Sequence, residues 1–285
     1  MATLQSTVKL FGGTLSRWTH ISSACKCEMT FTIYLPPAAD TRKVPVIYWL
    51  SGLTCTDENF SQKSGFGRAA AARGVALVMA DTSPRGVTIA GADDSYDFGS
   101  GAGFYVNATT EPWAAHYQMY TYVTSELPAL VEDMFESKVS VKKSIFGHSM
   151  GGHGALTIFL KNPSAYVSVS AFSPICNPTE VPWGQKAFAG YLGSVEAGMA
   201  HDAVELVKGF SGKLSRPVLI DQGAADKFLV GDVNQLRPEA EALADAFCKA
   251  GLPLKLRMQE GYDHSYFFIA SFVEEHINYH ADALI

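Results

Sequence analysis

The stretch that decides the fold is KSIFGHSMGGHGAL, residues 143–156. Its apolar segment SIF is typical of a buried strand, and the helical pattern GHGALTIFLKNP (152–163) ends at a proline. Between them lies the G-x-S-x-G pattern GHSMG, which predicts a sharp turn that raises the Ser149 hydroxyl above a sheet. The helix that follows would point its N-terminus, the positive end of the helix dipole, toward the negative charge that develops during attack by the serine. Ser149 is therefore a candidate nucleophile, and the alternative is a serine that only caps the helix.

Apolar runs and helical patterns alternate along the rest of the chain. Strands are predicted at 29–36, 44–52, 75–81, 144–149, 216–223 and 252–259, and helices at 66–74, 119–135, 152–163, 236–251 and 265–280. Continuous apolar runs are typical of strands that are covered on both faces. The alternation predicts an α/β fold with a mostly parallel central sheet and helices on both faces, and with its site at the carboxyl ends of the strands.

A serine nucleophile needs a histidine to take its proton and an acid to orient that histidine. In an elbow of this kind the chain order is serine, acid, histidine. His264 is the late histidine that follows a predicted strand, so it is the candidate base. His276 and His280 lie four residues apart in the last predicted helix and are interpreted as a solvated face.

Asp226 is the preferred acid because it lies in the loop after strand 216–223, within reach of the loop that carries His264. Asp221 lies at the end of that strand and is interpreted as structural. Asp263 adjoins the histidine and is more suited to holding its loop. His148 and His153 flank the serine on a sharp turn, so we interpret them as packing or hydrogen-bonding residues.

Two backbone N–H groups should stabilise an oxyanion. One belongs to Met150, the residue after the candidate nucleophile, and Leu53 in YWLSGLTCTDENF (48–60) is the candidate for the other. An ordinary strand-to-helix turn would also explain that loop. Cys55 lies two residues beyond Leu53, so we expect it near the serine, where thiol reagents could inhibit the protein.

Composition limits the possible functions. The 285 residues are 47% hydrophobic, carry a formal net charge of −6, and include no basic stripe, so we expect no nucleic-acid partner. No signal peptide and no run of about 20 apolar residues is visible, so we expect no membrane partner. Five scattered cysteines favour a reduced, cytoplasmic setting, with Cys25 and Cys27 as buried thiols on one strand face. No linker divides residues 1–285, which we interpret as one domain, and no metal or cofactor motif is present.

Several stretches together resemble the S-formylglutathione hydrolase (esterase D) family. They include YWLSGLTCTDENF, DTSPRG, DSYDFGSGAGFYVNAT, GHSMGGHGAL, FSPICNP, PWGQKAF, YLG, DQGAADKFL and EGYDHSYFFI, from about residue 30 to the C-terminus. The resemblance implies an α/β-hydrolase fold and cleavage of S-formylglutathione to glutathione and formate, the second step of glutathione-dependent formaldehyde detoxification. The residues that match the family's functional residues are Ser149, Asp226, His264, Leu53, Met150 and Cys55. Members of the family are often dimers, so the resemblance also suggests a homodimer.

A glutathione thioester is anionic, so cations near the site should help to bind it. Lys63, Arg85, Lys186 and Lys227 are candidates, and the sequence does not choose among them. A narrow acyl pocket discriminates only about 10- to 200-fold per methylene, so some activity on short acetyl esters is expected. The alternatives are a general short-chain carboxylesterase of the same fold and a non-catalytic relative that binds ligands or senses thiols.

Overall fold

The fold is built on one mixed β-sheet whose central strands are parallel. The computed structural model describes residues 2–229 and 237–285. Within them the strands are β1 (Thr3–Leu10), β2 (Gly13–Ile21), β3 (Glu28–Leu35), β4 (Val44–Leu50), β5 (Ala76–Ala80), β6 (Val139–His148), β7 (Val169–Phe172), β8 (Val218–Gly223) and β9 (Leu254–Gln259). Their spatial order is β1-β2-β3-β5-β4-β6-β7-β8-β9. β4 to β9 pair in parallel, whereas β1, β2 and β3 pair antiparallel at one edge.

Helices connect the strands. They are α1 (Asp57–Lys63), α2 (Gly67–Arg73), α3 (Met119–Thr121), α4 (Leu127–Met134), α5 (Met150–Lys161), α6 (Pro182–Leu192), α7 (Ala203–Lys208), α8 (Arg237–Lys249) and α9 (Tyr266–Leu284). A π-helical turn, Tyr122–Glu126, separates α3 from α4. None of the helices in the described part of the chain is long and apolar enough to cross a membrane.

Both faces of the sheet are covered, as predicted. All seven residues of β4 are buried, and they alternate between two apolar cores. Tyr48 and Leu50 belong to a core that includes residues of α4, α5, α6 and α7, whereas Ile47 and Trp49 belong to a core with residues of α1, α2 and α9. This arrangement explains why the central strands are apolar without interruption.

The predicted strands and helices are found within a few residues of their predicted bounds, with three additions to the sheet. β1 and β2 were not predicted, because β1 is almost entirely exposed and polar, and β7 has only four residues. The prediction of one helix over 119–135 was wrong, since the π-helical turn interrupts it. The first residue of the helix predicted at 236–251 lies outside the described residues. The cysteines Cys25 and Cys27 are buried, but they lie in the turn between β2 and β3 and not on a strand.

Candidate active site

Ser149 lies at the turn between β6 and α5, in a conformation with φ 56° and ψ −120°. The two glycines of the G-x-S-x-G pattern are required by close backbone contacts. A Cβ on Gly151 would lie 2.0 Å from the Leu50 carbonyl oxygen, and one on Gly147 would lie 2.2 Å from the Gly151 carbonyl oxygen. The Ser149 N–H donates to the Phe172 carbonyl at 3.0 Å, which ties the strained turn to β7. The sharp turn that the sequence predicts is therefore present.

Ser149 and His264 line the same cavity, whose volume is about 300 Å³. The cavity lies at the carboxyl ends of the parallel strands, where ligands bind in open α/β sheets. Its walls are formed by Gly52, Leu53, Thr54, Cys55, Asn59, Tyr96, His148, Ser149, Trp183, Phe228, His264, Ser265 and Tyr266. The serine is only 4% exposed, so the cavity is its route to a substrate.

Asp226 contacts His264, as the chain order of the candidates predicts. Its Oδ2 accepts a hydrogen bond from His264 Nδ1 at 2.5 Å, and its Oδ1 accepts one from the Phe228 N–H at 2.9 Å. The carboxylate is fully buried, so water does not compete for these bonds. A proton held on Nδ1 leaves Nε2 of His264 free to accept a proton.

The loop after β4 is held against the serine. A Cβ on Gly52 would lie 3.1 Å from Ser149 Cβ, so the loop approaches the turn as closely as a glycine allows. Leu53 follows and lines the cavity. Thr54 has φ 68°, and its N–H donates to the Gly101 carbonyl at 2.9 Å.

The same loop is fixed at a second point. The Cys55 carbonyl accepts hydrogen bonds from Thr82 Oγ1 at 2.5 Å and from Arg85 Nη2 at 3.0 Å. Thr56 caps α1, and the Asn59 side chain accepts a hydrogen bond from the Thr56 N–H at 2.9 Å. The loop is therefore anchored directly after Leu53, at Thr54 and Cys55.

His148 packs directly on the candidate base. The centroids of the His148 and His264 rings are 4.3 Å apart. Burial, with the nearby His264, holds the pKa of His148 well below its ordinary value, so the ring is neutral. His153 is fully buried and its Nε2 lies 3.0 Å from the Phe104 carbonyl. These contacts fit the interpretation of both residues as packing and hydrogen-bonding groups.

The other acids near the site have structural contacts. Asp221 is fully buried and bound by Arg257 and by His276 Nε2, the latter at 3.0 Å. Burial opposes its ionisation, but the hydrogen bonds from His276 and Arg257 outweigh that effect and lower the pKa of Asp221 to about 2. Asp263 Oδ1 accepts from the Ser265 N–H and hydroxyl at 2.9 and 2.6 Å, so it holds the start of α9.

Aromatic side chains form much of the cavity wall, and the sequence analysis did not single them out. Trp183 Nε1 donates to the Tyr96 hydroxyl at 3.2 Å, and the Trp183 ring lies 4.9 Å from that of Phe228. Phe228 in turn packs edge-on against His264, with centroids 4.8 Å apart. These residues come from two loops and the start of α6, far apart in the chain. The sequence signal for them is that each falls in a stretch that resembles the S-formylglutathione hydrolase family.

Cys55 lines the cavity near Ser149, as expected from its position in the loop. Burial raises the pKa of its thiol, although a hydrogen bond with Tyr266 and the charges of Lys63 and Arg85 oppose that shift. The thiol is therefore mostly protonated at neutral pH. No group of three or more histidine, cysteine or acidic side chains within residues 2–229 and 237–285 is arranged to hold a metal ion.

Known proteins resemble this chain over nearly its whole length. The family model described as "Putative esterase" matches residues 22–279. The S-formylglutathione hydrolases of Mus musculus and Rattus norvegicus are each 53% identical over 280 residues, which cover 98% of this chain and 97% of each relative. The structure of an S-formylglutathione hydrolase from Agrobacterium tumefaciens matches with a TM-score of 0.92 at 43% identity and covers 99% of both chains. With this identity and this shared α/β fold, the chain belongs to the S-formylglutathione hydrolase family of α/β-hydrolase esterases.

Proposed function

We propose that the protein hydrolyses S-formylglutathione to glutathione and formate by a serine mechanism. The observation that carries this proposal is the contact of buried Asp226 with His264 at 2.5 Å, where His264 lines the same small cavity as Ser149. The names of the mouse, rat and Agrobacterium tumefaciens relatives support the choice of thioester. A cavity of about 300 Å³ has room for the thioester end of such a ligand beside Ser149.

In the first half of the reaction, Ser149 Oγ attacks the formyl carbon and His264 Nε2 takes the hydroxyl proton. Asp226 orients the imidazole and stabilises its protonated form. The negative charge that develops on the formyl oxygen is stabilised by the N–H groups of Leu53 and Met150. The C–S bond then breaks, and the glutathione thiolate leaves and takes up the proton from His264.

In the second half, a water molecule attacks the formyl ester on Ser149. His264 takes a proton from this water and returns it to the serine oxygen as the ester C–O bond breaks, so that formic acid leaves and ionises to formate and the enzyme is restored. A thiolate leaves more easily than an alkoxide, so we expect proton donation to the leaving group to matter less than activation of serine and water. The loop that holds Leu53 serves both halves, since each forms an oxyanion at the same place.

The experiment compares kcat/KM for S-formylglutathione and p-nitrophenyl acetate in the wild type and in Ser149→Ala. We expect a strong preference for the thioester and a loss of at least about 10,000-fold in the variant. Equal or better turnover of the ester would reduce the activity to that of a general short-chain carboxylesterase. Full activity of Ser149→Ala would overturn the serine mechanism.

Three further properties are part of this proposal. A reduced, cytoplasmic setting is supported by the five cysteines, which are all free thiols.

A homodimer remains a prediction, which light scattering of the purified protein would test. The position of Cys55 in the cavity wall supports inhibition by thiol reagents, which should disappear in Cys55→Ala.

A further inference from the structure

A second depression adjoins the cavity that contains Ser149. It has a volume of about 340 Å³ and is lined by Ala225, Lys227, Phe228, Asp263, His264 and Ser265. Three of these residues also line the first cavity, so a ligand that reaches the serine can extend into the depression. We propose that Lys227 and Asp263 bind the α-carboxylate and the α-ammonium group at the γ-glutamyl end of the glutathione thioester. This proposal rests on the proposed function and assigns the part of the substrate that does not react.

Lys227 is the free cation of the depression. Its side chain is exposed and forms no ion pair with any residue of the described part of the chain. Its ammonium group lies 4.9 Å from the centroid of the Phe228 ring, which directs it toward the shared wall of the two cavities. Lys227 directly follows Asp226, so the loop that orients the candidate base also positions this ammonium group.

Asp263 supplies the opposite charge. Its Oδ1 accepts from the N–H and hydroxyl of Ser265, and no other described residue donates a hydrogen bond to its Oδ2. The hydrogen bonds from Ser265 lower the pKa of Asp263, so the carboxylate stays ionised at neutral pH. The depression therefore offers one cation and one anion that are not paired with each other, which matches the two charges on a single carbon of an amino acid.

The other candidate cations fit this role less well. Arg85 binds Asp81 and the Cys55 carbonyl, and Lys186 binds Asp97 at 2.6 Å, so both are already engaged. Lys63 does not line the depression, and its ammonium group lies 5.9 Å from the Tyr266 ring. Of the four candidate cations that the sequence left open, Lys227 is therefore the one whose position and contacts fit this role.

The test pairs a change in the protein with a change in the substrate. S-formyl-N-acetylcysteinylglycine keeps the thioester and the glycyl carboxylate but lacks the γ-glutamyl zwitterion. An exposed ion pair changes affinity by up to about fivefold, so Lys227→Ala should lower kcat/KM for S-formylglutathione about fivefold, through KM. The same variant should leave kcat/KM for the trimmed thioester unchanged. Asp263→Asn keeps the Oδ1 acceptor and should show the same selective loss.

Lys213→Ala is the matched control, because this exposed lysine precedes β8 whereas Lys227 follows it, at the opposite end of the strand. It removes the same charge and should affect neither thioester. An equal loss on both substrates in Lys227→Ala, or no loss on either, would overturn the proposal.

A second readout separates this proposal from the proposed function. S-methylglutathione cannot be hydrolysed as a thioester, so its competitive inhibition of p-nitrophenyl acetate hydrolysis reports binding alone. Its Ki should rise about fivefold in Lys227→Ala and stay unchanged in Lys213→Ala. If the wild type fails to hydrolyse S-formylglutathione but this difference in Ki is seen, the proposed function fails and the binding site stands. An unchanged Ki in Lys227→Ala would contradict the proposed binding site even if the wild type hydrolyses S-formylglutathione.

Discussion

Single residues at the site combine strain with burial. Ser149 has a positive φ of 56°, a region that costs a non-glycine residue about 1–3 kcal/mol. Thr54, in the loop opposite, has φ 68°. Hydrogen bonds from the Ser149 and Thr54 N–H groups, at 3.0 and 2.9 Å, hold both residues in these conformations. The strain therefore sits where the proposed nucleophile and oxyanion loop meet, and the surrounding backbone fixes it.

Asp226→Asn tests the proposed acid at this scale. The Asn side chain can still accept the Phe228 N–H through Oδ1, so the fold should survive. Its amide group would, however, donate to His264 Nδ1 and force the imidazole proton onto Nε2, which could then no longer accept the serine proton. We expect kcat for p-nitrophenyl acetate to fall by about 10,000-fold.

Circular dichroism and the thermal midpoint are the controls for this variant, since both should match those of the wild type. A kcat within about tenfold of the wild-type value, measured on folded Asp226→Asn, would mean that another group orients His264.

At the scale of elements, a partly buried ion pair links the N-terminal strands to the candidate site. Arg17 of β2 donates from Nε and Nη2 to the two carboxylate oxygens of Asp57, at 2.7 and 3.0 Å. Thr32 of β3 adds a hydrogen bond at 2.7 Å. Asp57 is the first residue of α1 and is fully buried, so this contact determines where the helix begins and where the loop before it must lie.

Arg17→Met should destabilise the protein, because it leaves the Asp57 carboxylate buried without a cation. The expected loss in unfolding free energy is about 3 kcal/mol, measured by urea denaturation. Combining it with Asp57→Asn removes the uncompensated charge and should restore part of the loss. A double variant as unstable as Arg17→Met alone would show that the charge is not the cause.

Central strands with long apolar runs could be predicted from the sequence, whereas the four-residue strand β7 and contacts between distant polar groups could not. The apolar runs of β4, β5 and β6 identify the parallel sheet, and the G-x-S-x-G pattern with the chain order identifies the candidate residues. The interpretation of His276 and His280 as a solvated face was wrong, since both are fully buried. Ser170 of β7 hydrogen-bonds both rings, each at 2.8 Å, and no local pattern in α9 reveals that contact.

The aromatic cavity wall escaped prediction for a similar reason. Tyr96 and Phe228 lie on two separate loops and Trp183 lies in the first turn of α6, and only the closed fold brings them beside His264. The sheet includes strands from β1 at Thr3 to β9 at Gln259, and the organisation of residues 1–285 as one domain stays a prediction.

Across the whole molecule, six of the eight histidines have a pKa below the ordinary value, with burial as the largest cause in each. They are His20, His148, His153, His201, His276 and His280. Burial lowers the pKa of His153 to about 4, and burial together with the charge of Lys161 lowers that of His201 to about 3. These rings stay neutral in the folded protein under conditions in which they would be protonated in the unfolded chain.

The unfolding free energy should therefore fall as the pH drops below about 6.5, where the unfolded chain begins to bind more protons than the folded one. For His201 this loss continues to a pH of about 3. Each such histidine contributes up to about 1.4 kcal/mol per pH unit, so urea denaturation at pH 5.5 should give a free energy several kcal/mol below that at pH 7.5. His201→Gln removes one titrating group and should reduce this difference by about 1 kcal/mol. Equal unfolding free energies at the two pH values would show that the buried histidines take up protons in the folded state.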